Sequence, residues 1–254
     1  VQNGVWWLQQ KQHQPETFVE GAMQARQQTL TGTFPQYLLE QFAQMLDYFG
    51  QSPIIVRSSS LLEDAFGNAF AGKYDSVFCA NQGSPEKRMQ DFLSAVRTVY
   101  ASTMREDALR YRAMRGLLTA DEQMALLIQR VSGTAYGSQF FPQAAGVGLS
   151  FNPYAWDKHI DPHAGVVRIV FGLGTRAVDL LEDDYTRVVA LNAPDRRPET
   201  DGDAVREYSQ HKVDTLDLEA NQEVSSPFEE VARDIEGLPL EMFATRDAEM
   251  ERRA

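Results

Sequence analysis

Apolar residues recur at helical spacing in the first fifty positions of the chain. Two such runs lie within residues 15–50, and a polar link at residues 29–33 separates them. Pro35 is suited to the start of the second helix, whereas Gly50 and Pro53 are suited to ending it. The pattern therefore predicts two helices, the second with a core-facing stripe.

Two more helices are predicted in the middle of the chain. Ser84 and Pro85 fit an N-cap followed by proline at the first helical position, and apolar residues at helical spacing follow. Another helical run at residues 105–115 ends at Gly116 and is rich in arginine. Such a run is typical of a solvated helix face, although it also fits contact with a nucleotide or a neighbouring domain.

Short apolar and β-branched runs predict the strands, at residues 54–56, 76–79, 124–131, 146–151, 166–171 and 186–191. Thr119 and Glu122 fit a helix capping box, but the aliphatic density of residues 124–131 favours a buried strand. Residues 193–203 indicate an exposed loop, residues 205–217 and 229–236 are predicted as helices, and residues 246–254 are polar enough to fray. Helices and strands in no repeating order predict an α+β (mixed α/β) fold.

Composition excludes several classes of protein. The chain has 43% hydrophobic and 24% charged residues, as expected for a globular domain, and its net charge of −12 argues against a general nucleic-acid-binding protein. Its apolar runs are too short for a membrane span, so a membrane is not an expected partner. The negative charge makes a nucleic acid an unexpected partner as well. The single cysteine, Cys79, excludes an internal disulfide, fits a reducing cytoplasm and is expected to be a packing residue. Because the chain begins with Val1, we expect it to be a fragment of a longer protein.

The candidate chemistry lies just after the first predicted strand. Arg57 follows that strand, and Gly72 lies fifteen positions further on in a loop of small residues. An arginine can make a planar, two-pronged contact with a phosphate, and a glycine loop allows backbone N–H groups to close over the same anion. The pair predicts a polyphosphate site. Taken alone, the arginine and its serines fit a simple turn, and Gly72 fits a hairpin.

Four ordered blocks of sequence extend this observation. The blocks are Val56-Arg57-Ser58-Ser59-Ser60 with Glu63-Asp64 and Ala69-Phe70-Ala71-Gly72-Lys73; Ile128-Gln129-Arg130-Val131; Gly146-Val147-Gly148-Leu149-Ser150-Phe151-Asn152-Pro153; and Phe171-Gly172-Leu173-Gly174. In this order and spacing, over residues 35–190, the chain resembles the ATP-binding domain of the pyruvate phosphate dikinase and phosphoenolpyruvate synthase family.

The resemblance implies an ATP-grasp-like nucleotide-binding domain with a lid subdomain, incomplete in this chain. It implies a helical segment at residues 1–52, a lid-like subdomain at 53–127 and a second subdomain at 128–254, truncated at its C-terminus. The implied roles are phosphate contact and catalysis for Arg57, and cofactor binding for Ser58, Gly72, Lys73, Ser76, Gln129, Arg130 and Val131, the last three beside adenine. The implied cofactors are ATP and Mg²⁺, with the metal ligands expected outside this chain.

The chain departs from the family pattern at several positions. Lys73 stands where relatives have glutamine, Ser76 where they have threonine, and Thr175 where they have glutamate. Glu63 and Asp64 could be metal ligands or helix-capping residues, and capping is favoured. The sequence Asp234-Ile235-Glu236 fits a late family motif superficially, but no strand and no Q-x-R follow it, so we interpret it as a coincidence. Pro162 argues against a helical metal pair of His159 and His163.

The predicted function is that of the ATP-binding portion of a dikinase-type phosphotransferase. ATP would pass a phosphoryl group to a carrier histidine on another domain of the full-length protein, which would also hold the pyruvate or phosphoenolpyruvate domain. The chain alone is expected to be inactive. Two alternatives stay open: a degenerate nucleotide-binding regulatory or assembly module, and a related antibiotic or glucan phosphotransferase.

Overall fold

The computed structural model describes residues 15–62, 72–117, 122–178, 184–235 and 237–244. The chain forms two compact units: residues 1–131 with 219–222, and residues 132–218 with 223–254. Within the described ranges, none of the helices has the length and apolar character needed to cross a membrane. The fold is α+β, as predicted.

Unit 1 combines helices with one antiparallel sheet. Its helices are α1 (Pro15–Leu30), α2 (Gln36–Phe49), α3 (Pro85–Ser102) and α4 (Glu106–Met114), and its strands are β1 (Ile54–Ser60), β2 (Ser76–Cys79) and β3 (Met124–Arg130). Ser84 caps α3, because its hydroxyl accepts a hydrogen bond from the Lys87 N–H, and Pro85 follows at the first turn. These elements confirm the predicted helices and strands of this half.

The sheet of unit 1 has the order β2-β1-β3, with β1 antiparallel to both neighbours. One face, represented on β1 by Ile54 and Val56, packs with Leu46 of α2 and Phe92 of α3 in a hydrophobic core. Because side chains alternate across a strand, the odd-numbered residues of β1 face the other side of the sheet. That second face carries the candidate site.

Unit 2 contains two antiparallel sheets. One has the order β10-β9-β5-β4 and the other β6-β7-β8. Its strands are β4 (Thr134–Tyr136), β5 (Gln139–Phe141), β6 (Ala145–Leu149), β7 (Val166–Val170), β8 (Arg187–Ala190), β9 (Lys212–Asp217) and β10 (Gln222–Pro227), and its helices are α5 (Thr175–Val178), α6 (Gly202–Glu207) and α7 (Phe228–Asp234). Phe141, Phe171, Val213 and Val231 form one core of this unit.

The prediction of a helix over residues 205–217 is wrong. The segment divides into the end of α6, which Asp201 caps, and the strand β9. Asp214 and Thr215 are buried in β9 although they are polar, because other polar side chains bind them, so the strand lacks the expected apolar pattern. The short strands β4, β5 and β10 were also not predicted. By contrast, β6, β7, β8 and α7 confirm their predictions to within two residues at each end.

The structure forms two compact units, and the division into three segments at residues 1–52, 53–127 and 128–254 stays a prediction. The helical residues 15–50 share a core with β1, since Leu46 packs with Ile54 and Val56. The boundary follows Val131, whose N–H continues the ladder by donating to the Pro53 carbonyl at 2.9 Å. Some of the residues used in the predictions lie outside the described part of the chain: Glu63, Asp64, Thr119, Glu236 and residues 246–254.

Candidate functional site: the open face of the unit 1 sheet

Arg57 lies at the centre of the sheet face that points away from the α2–α3 core. Ser76 of β2 and Leu127 of β3 are its cross-strand partners. Just beyond the two ends of the β1–β3 ladder, the Val131 N–H donates to the Pro53 carbonyl and the Leu61 N–H donates to the Gln123 carbonyl. The odd-numbered β3 residues therefore form the hydrogen-bonded pairs with β1. By the same alternation, Arg57 and Ser76 form a non-hydrogen-bonded pair, in which side chains lie closest together.

Arg57 is exposed, and the structure shows no partner for its side chain in the part of the chain that it describes. Arg57 is the first exposed residue of β1 after the buried Val56. Among the residues that the structure describes, none forms a hydrogen bond or an ion pair with its side chain. A guanidinium with all five N–H donors available is suited to a two-pronged contact with phosphate oxygens.

The next row of the same face is mostly apolar. Ile55 lies opposite Phe78 of β2 on one side and Gln129 of β3 on the other. Ile55 and Phe78 are half-buried, whereas the Gln129 side chain is exposed. The face thus combines a cation, a hydroxyl, a carboxamide and apolar side chains, which is the usual mixture in a cofactor site.

Gly72 precedes β2 in a conformation that suits glycine. Its φ is +77°, and a Cβ atom built there would have no atom within 4 Å. The preceding residues 63–71 lie outside the described part of the chain. Lys73 follows, and its ammonium lies 5.6 Å from the centre of the Tyr111 ring on α4. The Lys73 charge is thus held by an aromatic ring of α4.

Three other predicted site residues are placed differently from Arg57. Ser58 is half-buried and belongs to the opposite face, because it alternates with Arg57. The Arg130 guanidinium donates to the Tyr48 carbonyl at 3.3 Å and lies over the Tyr48 and Phe49 rings. The Val131 N–H is used in the ladder with Pro53. By alternation, the backbone N–H and C=O of Arg130 point to the outer edge of β3.

The structure thus brings Arg57, Ser76 and Gln129 together on one face. It places the side chains of Ser58, Lys73 and Arg130 elsewhere. Sequence reasoning missed Leu127, which is 45% exposed beside Arg57. Its strand was predicted, but an aliphatic residue in an aliphatic run gives no signal that it points away from the core.

Sequence reasoning also missed a buried ionic cluster in unit 2. The Arg176 guanidinium binds the Asp214 carboxylate at 3.0 Å, the Asp184 carboxylate at 3.3 Å and the Ser225 hydroxyl at 2.7 Å. Thr175 also donates to Asp214, at 2.5 Å. The departure at Thr175 from the family glutamate was the one sequence signal near this cluster. The contacts of this cluster indicate a structural role, namely support of the loop that ends at Gly174.

The described residues supply no metal centre. Within them, no group of three or more His, Cys, Asp and Glu side chains could hold a metal ion. His159 is 56% exposed and its Nδ1 lies 2.7 Å from the Asp157 carboxylate, so this histidine is part of a surface pair. Cys79 is buried in the core, where desolvation and the nearby Asp91 charge raise the pKa of its thiol to about 12. This agrees with a packing role.

The comparisons with known proteins are consistent with this geometry. The family model described as "Pyruvate phosphate dikinase, AMP/ATP-binding domain" matches residues 8–236. Among curated proteins, none is similar enough to count as a match.

Proposed function

Because the chain belongs to the pyruvate phosphate dikinase AMP/ATP-binding domain family, we propose that it binds ATP on the open face of the β2-β1-β3 sheet, with Arg57 contacting the phosphates. The observation that carries this proposal is the position of Arg57 at the centre of that face. It is exposed, and no acidic side chain among the described residues neutralises it. An isolated cation of this kind is suited to an anionic ligand.

The neighbouring residues fit the rest of the nucleotide. Ser76 lies opposite Arg57 and offers a hydroxyl to the same phosphates. Ile55, Phe78 and Leu127 provide apolar surface, and Gln129 provides a carboxamide beside it. The outward N–H and C=O of Arg130 can form hydrogen bonds with the adenine edge, so we propose this role for the backbone of Arg130 rather than for its side chain.

In the full-length protein, we propose that a phosphoryl group passes from ATP to a carrier histidine on another domain: the bond between the transferred phosphorus and the nucleotide breaks as a bond to a histidine nitrogen forms. In phosphoryl transfer, protein residues act mainly by positioning the substrate and by neutralising charge. Arg57 would neutralise charge on the transferred group, while the sheet face holds the rest of the nucleotide. Within the described residues no group of three or more His, Cys, Asp and Glu side chains could hold a metal ion, and no step of this proposal is assigned to Mg²⁺.

A second candidate function is nucleotide binding without transfer. One observation favours it: two acidic residues of unit 2, Asp184 and Asp214, have their carboxylates bound by Arg176 rather than exposed to a ligand. A domain that keeps the cation of the sheet but commits these acids to structure could act as a regulatory or assembly module. Transfer of phosphate from ATP to the intact protein separates the two candidates.

The test of ATP binding is calorimetric titration with a non-hydrolysable ATP analogue. Arg57→Ala removes the phosphate contact, and the expected loss is about 2 kcal/mol, or roughly thirtyfold in Kd. Arg110→Ala is the matched control, because Arg110 is a 75% exposed arginine of the same unit that pairs with Glu106 on α4. Equal affinities for the two variants would remove Arg57 from the site.

A further inference from the structure

We propose that Arg105 is a positioning residue for the phosphate site: by binding Asp75, it holds Ser76 opposite Arg57. This inference rests on the proposed function, since it concerns the same face of the sheet. It adds a residue that does not itself lie on that face.

Ser76 is weakly held by the sheet itself. It is the first residue of β2, a strand of four residues at the edge of the sheet. The pair Arg57–Ser76 is the last of the β1–β2 register and is a non-hydrogen-bonded pair. The last ladder hydrogen bonds therefore belong to Val56 and Val77, and the position of Ser76 depends on the residues before it.

Asp75, directly before Ser76, is held from two directions. Its N–H donates to the Ser102 hydroxyl at 3.0 Å, and Ser102 is itself buried and bound to the Val99 carbonyl at 2.6 Å. Its carboxylate accepts a hydrogen bond from the Arg105 guanidinium. Asp75 is thus fixed to the end of α3 by its backbone and to the start of α4 by its side chain.

Arg105 is a suitable anchor because its own position is fixed. It occupies the N-cap position of α4, and its Nε and Nη2 donate to the two carboxylate oxygens of Asp107 at 3.1 and 3.2 Å. This two-pronged contact orients the guanidinium plane, and the remaining nitrogen, Nη1, donates to Asp75.

Tyr74 adds a further anchor on the other side of the same segment. It is buried between Leu62 and Ala108, and its hydroxyl donates to the Glu122 carboxylate. Two consecutive residues before Ser76 are therefore attached to the body of unit 1. Of the two, Asp75 is adjacent to Ser76, so we assign the larger effect on Ser76 to its pair with Arg105.

The role predicts an effect on ligand affinity rather than on folding. Arg105 and Asp75 have side-chain exposures of 42% and 26%, and ion pairs at such exposure contribute little to global stability. Loss of the pair would instead allow Ser76 to move relative to Arg57, which weakens a hydrogen bond to phosphate.

The experiment measures the Kd of the Mg²⁺ complex of a non-hydrolysable ATP analogue, together with Tm, for the 254-residue chain. We expect Arg105→Ala to weaken binding about fivefold while the control Arg110→Ala does not. Arg105→Lys, which keeps the charge, recovers part of the affinity. In a Ser76→Ala background, Arg105→Ala has no further effect on Kd, because the residue it positions is gone.

The results that overturn the inference differ from those that overturn the proposed function. If Arg57→Ala weakens binding but Arg105→Ala does not, the sheet face binds ATP and the positioning role is wrong. The same conclusion follows if the effects of Arg105→Ala and Ser76→Ala on Kd add. If Arg57→Ala has no effect, the proposed function fails, and the positioning role fails with it. Should Arg105→Ala not fold, Asp75→Asn, which removes the ion pair from the other side, provides the same comparisons.

Discussion

Arg57 and Leu127 lie directly opposite each other on β1 and β3, on the face of the sheet that points away from the α2–α3 core. They form a hydrogen-bonded antiparallel pair, whose Cα atoms lie about 5.5 Å apart. A side chain introduced at residue 127 therefore lies within reach of the Arg57 guanidinium. This relationship provides a direct way to perturb the proposed phosphate contact without altering Arg57.

Leu127→Glu is expected to weaken ATP binding about tenfold or more, because the new carboxylate pairs with Arg57 and repels the phosphates. The position is 45% exposed, so the change costs little packing. Leu149→Glu is the matched control, since Leu149 is 46% exposed on β6 in unit 2 and adds the same charge. Calorimetric titration of both variants provides the comparison, and similar Kd values for the two would contradict the placement of the site.

The two glycines of β6 are expected to differ sharply in their tolerance of alanine. A Cβ atom on Gly146 would lie 2.3 Å from the Arg168 carbonyl oxygen, whereas one on Gly148 would have no atom within 4 Å. Gly146→Ala must displace β7 and should lower the free energy of unfolding by about 2 kcal/mol or more. Gly148→Ala should be neutral or stabilising by up to ~1 kcal/mol. Urea unfolding of the pair tests this contrast, which equal midpoints would refute.

Arg176→Met is expected to destabilise unit 2 by about 3–5 kcal/mol, because it leaves two buried carboxylates without their cation. The side chains of Arg176, Asp184 and Asp214 are 7%, 2% and 8% exposed. Arg196→Met is the control: Arg196 is 49% exposed and pairs with Asp157, so its loss should cost less than ~1 kcal/mol. Denaturant titration measures both, and a small effect of Arg176→Met would show that the cluster is not a structural support.

Cys79 is expected to be unreactive in the folded protein. Its thiol has a pKa of about 12, compared with 9.0 for an unperturbed thiol, because burial disfavours the thiolate. At pH 8 this lowers the thiolate fraction by about a thousandfold, so a disulfide reagent should label the native chain far more slowly than the unfolded chain.

The same pKa shift sets the sign of a pH effect on stability. The native state favours the protonated thiol. The contribution of this thiol to the free energy of unfolding is therefore fully present below pH 9.0 and is lost as the pH rises towards about 12. Cys79→Ala should lack this part of the alkaline loss of stability. Rapid native labelling at pH 8, or identical alkaline profiles for the two chains, would contradict the burial of Cys79.

Local signals in the sequence predicted many elements of the fold but not their assembly. Ser84 and Pro85 marked the start of α3, and the apolar run 124–131 marked β3, because capping and periodicity depend on neighbouring residues. The strand β9 was missed because Asp214 is buried by its contacts with Arg176 and Thr175, which lie far away in sequence.

The candidate site shows the same limit. Arg57, Ser76 and Gln129 were predicted by resemblance, but their common face depends on the strand order β2-β1-β3 and on the register. A one-residue change in the register of a strand would move each of its side chains to the other face of the sheet. Ser58 and Arg130 fall on the other face because each is one residue away from a residue of the site. Neither the strand order nor the register can be read from one sequence.

The central claim is that Arg57 contacts the phosphates of ATP, and the most direct test compares ATP with adenosine. For Arg57→Ala we predict that the Kd for ATP rises about thirtyfold while the Kd for adenosine changes by less than about twofold, since adenosine has no phosphate. A loss that is equal for both ligands would show that Arg57 acts on the fold of the site. An unchanged Kd for ATP would show that its phosphates bind elsewhere.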